Sequence, residues 1–519
     1  MLRQRSLLMV LVLTLLLATF PQAFWGGEIR AASNPFSGIV WYPNPYSPVT
    51  TQASTWRASR PADALLLDRI AAQQTVDWIG GWLSPDAMTS WVRQLINAAP
   101  AGGVPMLSAY NIPRLDCGDG GAASATDYRT WIERFARAVA STQHKAIVML
   151  EPDGLTVTDC LNPAQLAERY ALIAYGVELL KSNPNVSVYI DGGEWGRFSI
   201  EEVANILTAG NIAKADGFLL NSTRYDYTSR ELAYGVGIGK RLGGKHFIVD
   251  TTANGLGSRD TPCNSRQHTL GLPPTTQTGE PLADAFVWNS QVWHSAGDCG
   301  RGDPSAGQDF FEYARFLSAR TQQPFTDTPD DAVSQEAIRQ LAQRGVLRGN
   351  GDGTIGANSS TLRAQMAGLI ARAMTWELEG YGGTLFPDQV NVDNELWHSV
   401  GTLAHYNVAQ GFADGTYHPT EPVLYEQVLL FISRAMVAKE YWVLQADVPS
   451  MFPNLPNGTA REQADRRDIA TYVYYTQARG GVPDRPATGD FTGWDQPAPR
   501  SWFARALWAA LDSYYTTLP

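Results

Sequence analysis

The fold follows from one segment, Val148-Met149-Leu150-Glu151-Pro152-Asp153-Gly154-Leu155, in which an apolar run ends in two carboxylates separated by a proline. The run from Ile147 to Leu150 is typical of a short buried strand, and Pro152 cannot continue a hydrogen-bonded ladder. Asp153 therefore follows the end of a strand, where α/β barrels place their active sites. The alternative is a helix N-cap on a loop, because Asp is common there.

Strand-like and helical patterns alternate from about residue 34 to residue 320. Helices are predicted, for example, at 127–141, 163–180 and 199–209. This alternation predicts a parallel sheet that closes, or nearly closes, into an α/β barrel. The predicted strands are Gly38–Trp41, Thr75–Ile79, Pro105–Tyr110, Ile147–Leu150, Val186–Ile190, Gly217–Asn221, His246–Thr251 and Ala285–Trp288.

The N-terminus has the pattern of a secretory signal. Arg3 and Arg5 precede an apolar run from Leu7 to Phe20, which is too short for a comfortable membrane span. We therefore expect residues 1–32 to be a signal peptide and the mature chain to be secreted, with an uncleaved anchor as the alternative. No later apolar run is long enough to cross a bilayer, so no membrane contact is expected after signal removal. A net charge of −11 without a basic run argues against a nucleic-acid partner.

Four cysteines fit an exported protein with two disulfides. They are Cys117, Cys160, Cys263 and Cys299. None has zinc spacing, and neither a metal nor a cofactor is expected. The sequence alone permits three pairings, of which Cys117–Cys160 with Cys263–Cys299 would close two loops of moderate length.

Beyond Pro324 the chain contains an internal repeat. The segment Gly349-Asn350-Gly351-Asp352-Gly353-Thr354 recurs 62 residues later as Gly411-Phe412-Ala413-Asp414-Gly415-Thr416. Each unit predicts a helix, a Gly-Asp-Gly turn and a second amphipathic helix. We expect an α-helical repeat domain over residues 325–519, with units at about 325–380 and 386–440 and a degenerate unit at 452–515.

These repeats resemble S-layer homology modules. The resemblance depends on Phe325-Thr326-Asp327 and Phe386-Pro387-Asp388 together with the Gly-x-x-Asp-Gly-Thr turns. It implies noncovalent attachment to cell-wall polysaccharide at the cell surface or S-layer, with Arg363 as a wall-binding residue. The second copy has Tyr425-Glu426 where Arg-Ala is expected. The alternative is a purely structural helical array.

A second predicted strand is followed at once by an acid, in Tyr110-Asn111-Ile112-Pro113-Arg114-Leu115-Asp116-Cys117. If the strands at 105–110 and 147–150 are neighbours, Asp116 and Asp153 lie close together. Two nearby carboxylates repel, so the pKa of one rises and a proton is retained near neutral pH. Glycoside hydrolysis needs such a proton donor at the leaving oxygen.

About 290 residues resemble glycoside hydrolase family 6, the inverting cellulases. Glu151-Pro152-Asp153 and the segment Tyr110–Cys117 match two family motifs, and the four cysteines fall at family disulfide positions. The resemblance implies an α/β fold over residues 34–320, an irregular, partly open parallel barrel with seven strands. It also implies a β-1,4-glucan substrate. Further matches follow in family order at Tyr189–Gly193, Gly217-Phe218 with Asn221, Phe247–Thr251, Cys263-Asn264 and Asp284–Trp288.

The resemblance also implies roles for individual residues. Asp153 would be the general acid. Asp116 would raise the pKa of Asp153 and take up the proton of the attacking water through a second water, and Tyr110 would crowd the distorted sugar. The candidate substrate contacts are Trp41, Trp78, Asn221, Glu194 and Trp288, although each tryptophan could equally be core.

Four charged positions of the family pattern are neutral in this chain. Ala296 stands where the family has its proposed base aspartate, and Ser290 where it has a neighbouring lysine. Ala253 and Leu115 replace two arginines. Because the anion and its cations are absent together, the change resembles a consistent redesign. The prediction is a surface-anchored, inverting and endo-acting β-1,4-glucanase; the alternative is a catalytically weakened or non-hydrolytic glycan-binding surface protein.

Overall fold

Seven parallel strands form the sheet of the N-terminal part of the chain. The computed structural model describes residues 34–118, 120–222, 224–257, 263–379, 381, 386–388, 394–445, 460–477 and 494–518. Within the sheet the strands follow one another in chain order. They are β1 (Asp77–Gly80), β2 (Met106–Tyr110), β3 (Ala146–Leu150), β4 (Val186–Asp191), β5 (Gly217–Leu220), β6 (His246–Asp250) and β7 (Ala283–Val287).

Helices cover the outside of this sheet. Every residue of β3, β5 and β7 is buried. This explains why the sequence indicates these strands by continuous apolar runs and not by alternating apolar and polar residues. Polar caps such as Asn162 and Ser199 begin the helices between strands. The helices are α1 (Pro48–Trp56), α2 (Pro61–Ala71), α3 (Pro85–Asn97), α4 (Ala125–Ala140), α5 (Pro163–Lys181), α6 (Ile200–Ala209), α7 (Thr228–Arg241) and α8 (Phe311–Gln322).

The sheet curls into a partly open barrel, as the resemblance implied. Within the described residues no ladder joins β7 to β1. Instead, Val76 N donates to Trp288 O at 2.9 Å, and Trp78 Nε1 donates to Asn289 O at 2.6 Å. The inside of the barrel is filled by apolar side chains, among them Met149, Tyr189 and Ile248.

The first of the eight predicted strands is wrong. Only Val40 of the segment 38–41 pairs with another backbone, in a single bridge to Gly103. Pro43 and Pro45 follow directly, and because proline has no N–H to donate, the segment cannot extend this bridge into a ladder. The other seven candidates correspond to β1–β7 with boundaries that differ by a few residues.

Both disulfides have the local pairing, which the sequence alone left open among three. Cys117 is bonded to Cys160, and Cys263 is bonded to Cys299. The first bond connects the loop after β2 to the loop after β3. The second bond connects the loop after β6 to the segment that follows β7.

The C-terminal part of the chain is helical. Isolated bridges join its units at Ser360–Pro499, Leu362–Pro422 and Leu424–Pro497. The prediction of the third unit depends in part on Phe452 and residues 490–492, which lie outside the described residues. Residues 1–33, which include the predicted signal peptide, also lie outside them. The helices are α9 (Ala332–Gln343), α10 (Arg363–Ala373), α11 (Asn394–His405), α12 (Tyr425–Ala438), α13 (Ala460–Thr476) and α14 (Arg500–Tyr515).

The helical units contact the barrel directly. Ser229 N, at the start of α7, donates to Arg344 O at 2.8 Å. Lys439, after α12, forms an ion pair with Glu280 of the barrel at 3.1 Å. Among the described residues, no helix has the length and apolar composition needed to cross a bilayer.

Candidate active site

Glu151 connects the end of β3 to the loop that follows β2. Its carboxylate accepts hydrogen bonds from the backbone N–H groups of Asn111 and Ile112, each at 2.9 Å. Burial raises the pKa of Glu151 to about 8, although these N–H groups favour the charged form. Glu151 and Asp153 have φ angles of 52° and 64°, so both occupy the left-handed region that non-glycine residues rarely adopt. Such strain is common where side chains are held for function.

Arg169 joins the two acid-bearing loops. This buried residue of α5 donates to Gly154 O at 2.9 Å, to Pro113 O at 2.6 Å and to Arg114 O at 3.1 Å. Sequence reasoning missed Arg169, and the available signal was its position on the buried face of a helix beside Leu172. Together with Glu151 and Cys117–Cys160, Arg169 fixes the loop that bears Asp116 against the loop that bears Asp153.

Tyr110, Asp116 and Asp153 are brought together, as predicted. Tyr110 Oη donates to Asp116 Oδ2 at 2.5 Å. Burial and then the charge of Asp116 raise the pKa of Tyr110, and the charges of Asp153 and Glu151 add to the effect. The phenol is therefore protonated, and it is bonded to one of these three carboxylates, Asp116. Asp116 is exposed, whereas Asp153 is only 8% exposed.

These groups face an open cleft of about 780 Å³ at the carboxyl ends of the strands. We call the side formed by the loops after β1, β2 and β3 the acid wall, and the side formed by residues 288–309 the β7 wall. The acid wall contributes Trp78, Trp82, Tyr110, Asp116 and Asp153. The β7 wall contributes Ser290, Gln291, Val292, His294, Ser295, Ala296, Ala306, Gly307 and Gln308, and Ser222, Tyr225, Ala253, Asn264 and Tyr313 complete the lining.

The β7 wall contains two of the positions that depart from the family pattern, Ser290 and Ala296. Ser290 Oγ donates to Asp250 Oδ2 at 2.8 Å, and Ala296 N donates to Asn264 Oδ1 at 2.9 Å. Burial raises the pKa of Asp250 to about 6; this carboxyl is fully enclosed and does not reach the cleft. Small side chains thus stand where the resemblance leads one to expect an ion cluster.

Of the predicted substrate contacts, Trp78 is the one that lines the cleft. Trp288 does not offer a ring face to a sugar, because it is 2% exposed and its Nε1 donates to Leu272 O at 2.8 Å. Trp41 stacks on Phe36 at the edge of the inner core.

The two polar candidates also lie outside the cleft lining. Asn221 is buried and bonds the backbone of Asp226 and Asp250, which gives it a structural role in the loop after β5. Glu194 forms an ion pair with Arg224 at 3.4 Å. Burial and the charge of Asp191 raise the pKa of Glu194 to about 7.

Two cleft residues escaped the sequence reasoning. Trp82 is 61% exposed on the acid wall, and its ring occupies the space beside Gly80 that a Cβ atom would fill. His294 lies on the β7 wall with Nε2 3.4 Å from Asp309 Oδ1, and burial lowers its pKa. The visible signals were the Gly80-Gly81-Trp82 turn and a histidine two residues before Ala296.

A second cavity, of about 650 Å³, lies in the helical part. Arg363 lines it but is only 4% exposed. Its Nε donates to Tyr417 O at 2.8 Å, and its guanidinium lies 4.7 Å from the ring centres of both Phe412 and Tyr417. The charged residues in the same lining are Glu426, Arg434, Asp465 and Arg466.

Known proteins resemble the barrel over most of its length. The chain is 34% identical over 271 residues to endoglucanase A of Cellulomonas fimi, covering 51% of this chain and 59% of that protein. It is 33% identical over 308 residues to endoglucanase 1 of Streptomyces halstedii, covering 57% and 93%. The solved structure of the endoglucanase Cel6 from Mycobacterium tuberculosis, in complex with a thio-linked cellobioside, superposes with a TM-score of 0.52 at 35% identity, covering 55% of this chain and 99% of that one.

Family models match both parts of the chain. The S-layer homology domain matches residues 324–367 and 385–429, which confirms the resemblance of the first two repeats. The model of glycosyl hydrolases family 6 matches residues 36–321. The chain therefore belongs to glycosyl hydrolases family 6.

Proposed function

We propose that this protein hydrolyses β-1,4-glucan with inversion at the anomeric carbon. The observation that supports the proposal most strongly is that Asp116 and Asp153 face one open cleft, on loops held together by Arg169 and a disulfide. The relatives named as endoglucanases make β-glucan the natural substrate class. The open form of the cleft suits cleavage inside a chain rather than at its end.

Asp153 is the general acid in this proposal. It donates its proton to the glycosidic oxygen while the bond from that oxygen to the anomeric carbon breaks. Tyr110 stands beside it and crowds the sugar that must distort. Asp116 accepts the hydrogen bond of Tyr110 and is the second carboxylate on this side of the cleft.

Release of reducing ends from soluble β-glucans tests the proposal. The wild-type protein should release them from carboxymethylcellulose or mixed-linkage glucan, and Asp153→Asn should lower kcat by roughly 10²–10⁴-fold, the usual contribution of general acid catalysis. Asp86→Asn, which changes an exposed acid of α3, is the matched control and should keep wild-type activity.

The same assay decides the alternative of a non-hydrolytic glycan-binding protein, which is motivated by Ala296. Equal and near-zero release by the wild type and Asp153→Asn on cellulose, mixed-linkage glucan and xyloglucan would favour that alternative. Proton NMR of the first products decides the stereochemistry, because an inverting enzyme releases the α-anomer from a β-linkage.

The repeats are proposed to bind cell-wall polysaccharide and hold the enzyme at the cell surface. The supports are the two matched S-layer homology domains and the cavity lined by Arg363, Phe412 and Arg434. Retention of the full chain on purified wall polysaccharide is the test. We expect the wild type to be retained and Arg363→Ala to bind more weakly, with the exposed Arg137→Ala of the barrel as a control. Failure of the wild type to bind would contradict anchoring.

A further inference from the structure

Besides Asp116 and Asp153, the cleft contains an imidazole, that of His294, which can accept a proton. Among the described residues that line it, Asp116, Asp153 and His294 are the ones whose ordinary pKa values lie below about 7. Inversion needs a donor at the leaving oxygen and an acceptor for the water proton on the other face of the sugar ring. The proposed function assigns only the donor.

Asp116 would take up the water proton only through a second water, as the resemblance implies, and not directly. It shares the acid wall with Asp153, because its loop is fastened to the loop of Asp153 by Arg169 and by Cys117–Cys160. Its Oδ2 already accepts a hydrogen bond from Tyr110 Oη at 2.5 Å. An acceptor on the face opposite the leaving group is expected on another part of the cleft, and His294 is on the β7 wall.

The surroundings of His294 suit a base. Its Nε2 lies 3.4 Å from Asp309 Oδ1, and a carboxylate there favours the tautomer with the proton on Nε2, which leaves the lone pair on Nδ1. Burial lowers the pKa of His294 by more than the charge of Asp309 raises it, so the neutral imidazole predominates near neutral pH. The side chain is still 37% exposed, so water reaches it.

We propose that His294 is the general base of this enzyme and that Asp309 is its positioning residue, an inference that rests on the proposed function. In one step the water oxygen bonds to the anomeric carbon, and the bond from that carbon to the leaving oxygen breaks. Asp153 gives its proton to the leaving oxygen, and the water gives one proton to Nδ1 of His294. The imidazolium, stabilised by Asp309, then loses its proton to solvent, and Asp153 regains one.

Azide rescue of His294→Ala tests this assignment. We expect kcat on aryl β-cellotriosides to fall roughly 10²-fold or more with little change in KM, and azide, which needs no base, to restore turnover and yield the α-glycosyl azide. Asp309→Asn should shift the acidic limb of the kcat/KM profile to lower pH, because loss of the carboxylate lowers the pKa of His294. His294→Gln provides a second variant of similar size in case the alanine variant folds poorly.

His144→Ala is the matched control. This exposed histidine precedes β3 at the end of the sheet away from the cleft, and its replacement should leave kcat unchanged. A His294→Ala enzyme within threefold of wild-type kcat would overturn the inference, as would azide rescue of Asp116→Asn but not of His294→Ala. Failure of the proposed function is distinct, because it appears as a wild type that is itself inactive and no different from Asp153→Asn.

Discussion

The acid wall and the β7 wall differ in the side chains that they place at the cleft, although a disulfide holds each of them. On the acid wall, Glu151 bonds two backbone N–H groups of the neighbouring loop, Arg169 bonds three carbonyls, and a disulfide joins the two loops. On the β7 wall, Ser290 and Ala296 have small side chains, and they bond Asp250 and Asn264, which are 40 and 32 residues away in the sequence. The comparison teaches that the position of the proton donor is tightly constrained, while the side that receives the water proton has tolerated replacement.

Removing each disulfide in turn tests this comparison most severely. Cys117→Ser/Cys160→Ser and Cys263→Ser/Cys299→Ser open loops of 43 and 36 residues, so each pair should lower the free energy of unfolding by about 4 kcal/mol in the chain-entropy model. Urea denaturation measures both losses. At a temperature where both variants are folded, kcat should fall more for the first pair, which positions the loops of Asp116 and Asp153, than for the second; equal kcat losses would remove the distinction between the walls.

Arg169→Met examines the connection inside the acid wall. The substitution leaves two buried carbonyls and one partly buried carbonyl without their charged donor, so the free energy of unfolding should fall by about 3 kcal/mol. Arg137→Met, on the exposed face of α4, should change it by less than about 0.5 kcal/mol. Similar thermal shifts for both variants would show that Arg169 does not hold the loops together.

Glu194→Gln probes a buried acid that follows β4, beyond the acid wall. The folded pKa of about 7 lies above the ordinary value of 4.5, so the folded protein binds a proton that the unfolded chain releases. The contribution of this group to the free energy of unfolding is fully present below about pH 4.5. It falls by about 3 kcal/mol as the pH rises to about 7. Denaturation at pH 5 and pH 7.5 should show a smaller decrease in Glu194→Gln; an unchanged decrease would contradict the raised pKa.

Trp82→Ala has the smallest expected effect. An exposed indole on the acid wall can stack on a sugar ring, which is worth about 1 kcal/mol or roughly a fivefold rise in KM on removal. The rise should appear with long cello-oligosaccharides and not with short ones. Tyr474→Ala, an exposed aromatic in the helical part, should leave KM unchanged. A rise independent of chain length would argue against a separate binding position at Trp82.

Local patterns explain which features were predictable. Asp153 and Asp116 are found because each follows an apolar run directly, and the family resemblance adds the disulfide pairing and the seven-stranded barrel. The strand predicted at 38–41 fails because a single bridge at Val40 satisfies the backbone without a ladder. The resemblance predicts Trp288 as a sugar contact, but the residue is buried, because residue type alone does not say on which side of the strand end an aromatic ring lies.

Contacts between distant segments explain what was missed. Arg169 holds the loops by bonding carbonyls that are 15 and 56 residues away in the sequence. No local sequence pattern indicates these contacts. His294 and Trp82 become candidates only when the cleft shows which loops share it. The asymmetry between the two walls is likewise invisible until Ala253, Ser290 and Ala296 are seen to line one cleft.

The dependence of rate on leaving group tests the central claim, that Asp153 on the acid wall donates the proton. The measurement compares wild type and Asp153→Asn on aryl β-cellotriosides with leaving-group pKa values from about 4 to about 10. We predict a loss in Asp153→Asn of roughly 10³-fold for the poorest leaving groups that shrinks to below about tenfold for dinitrophenol, which needs no acid. An equal loss across the whole series would contradict the account.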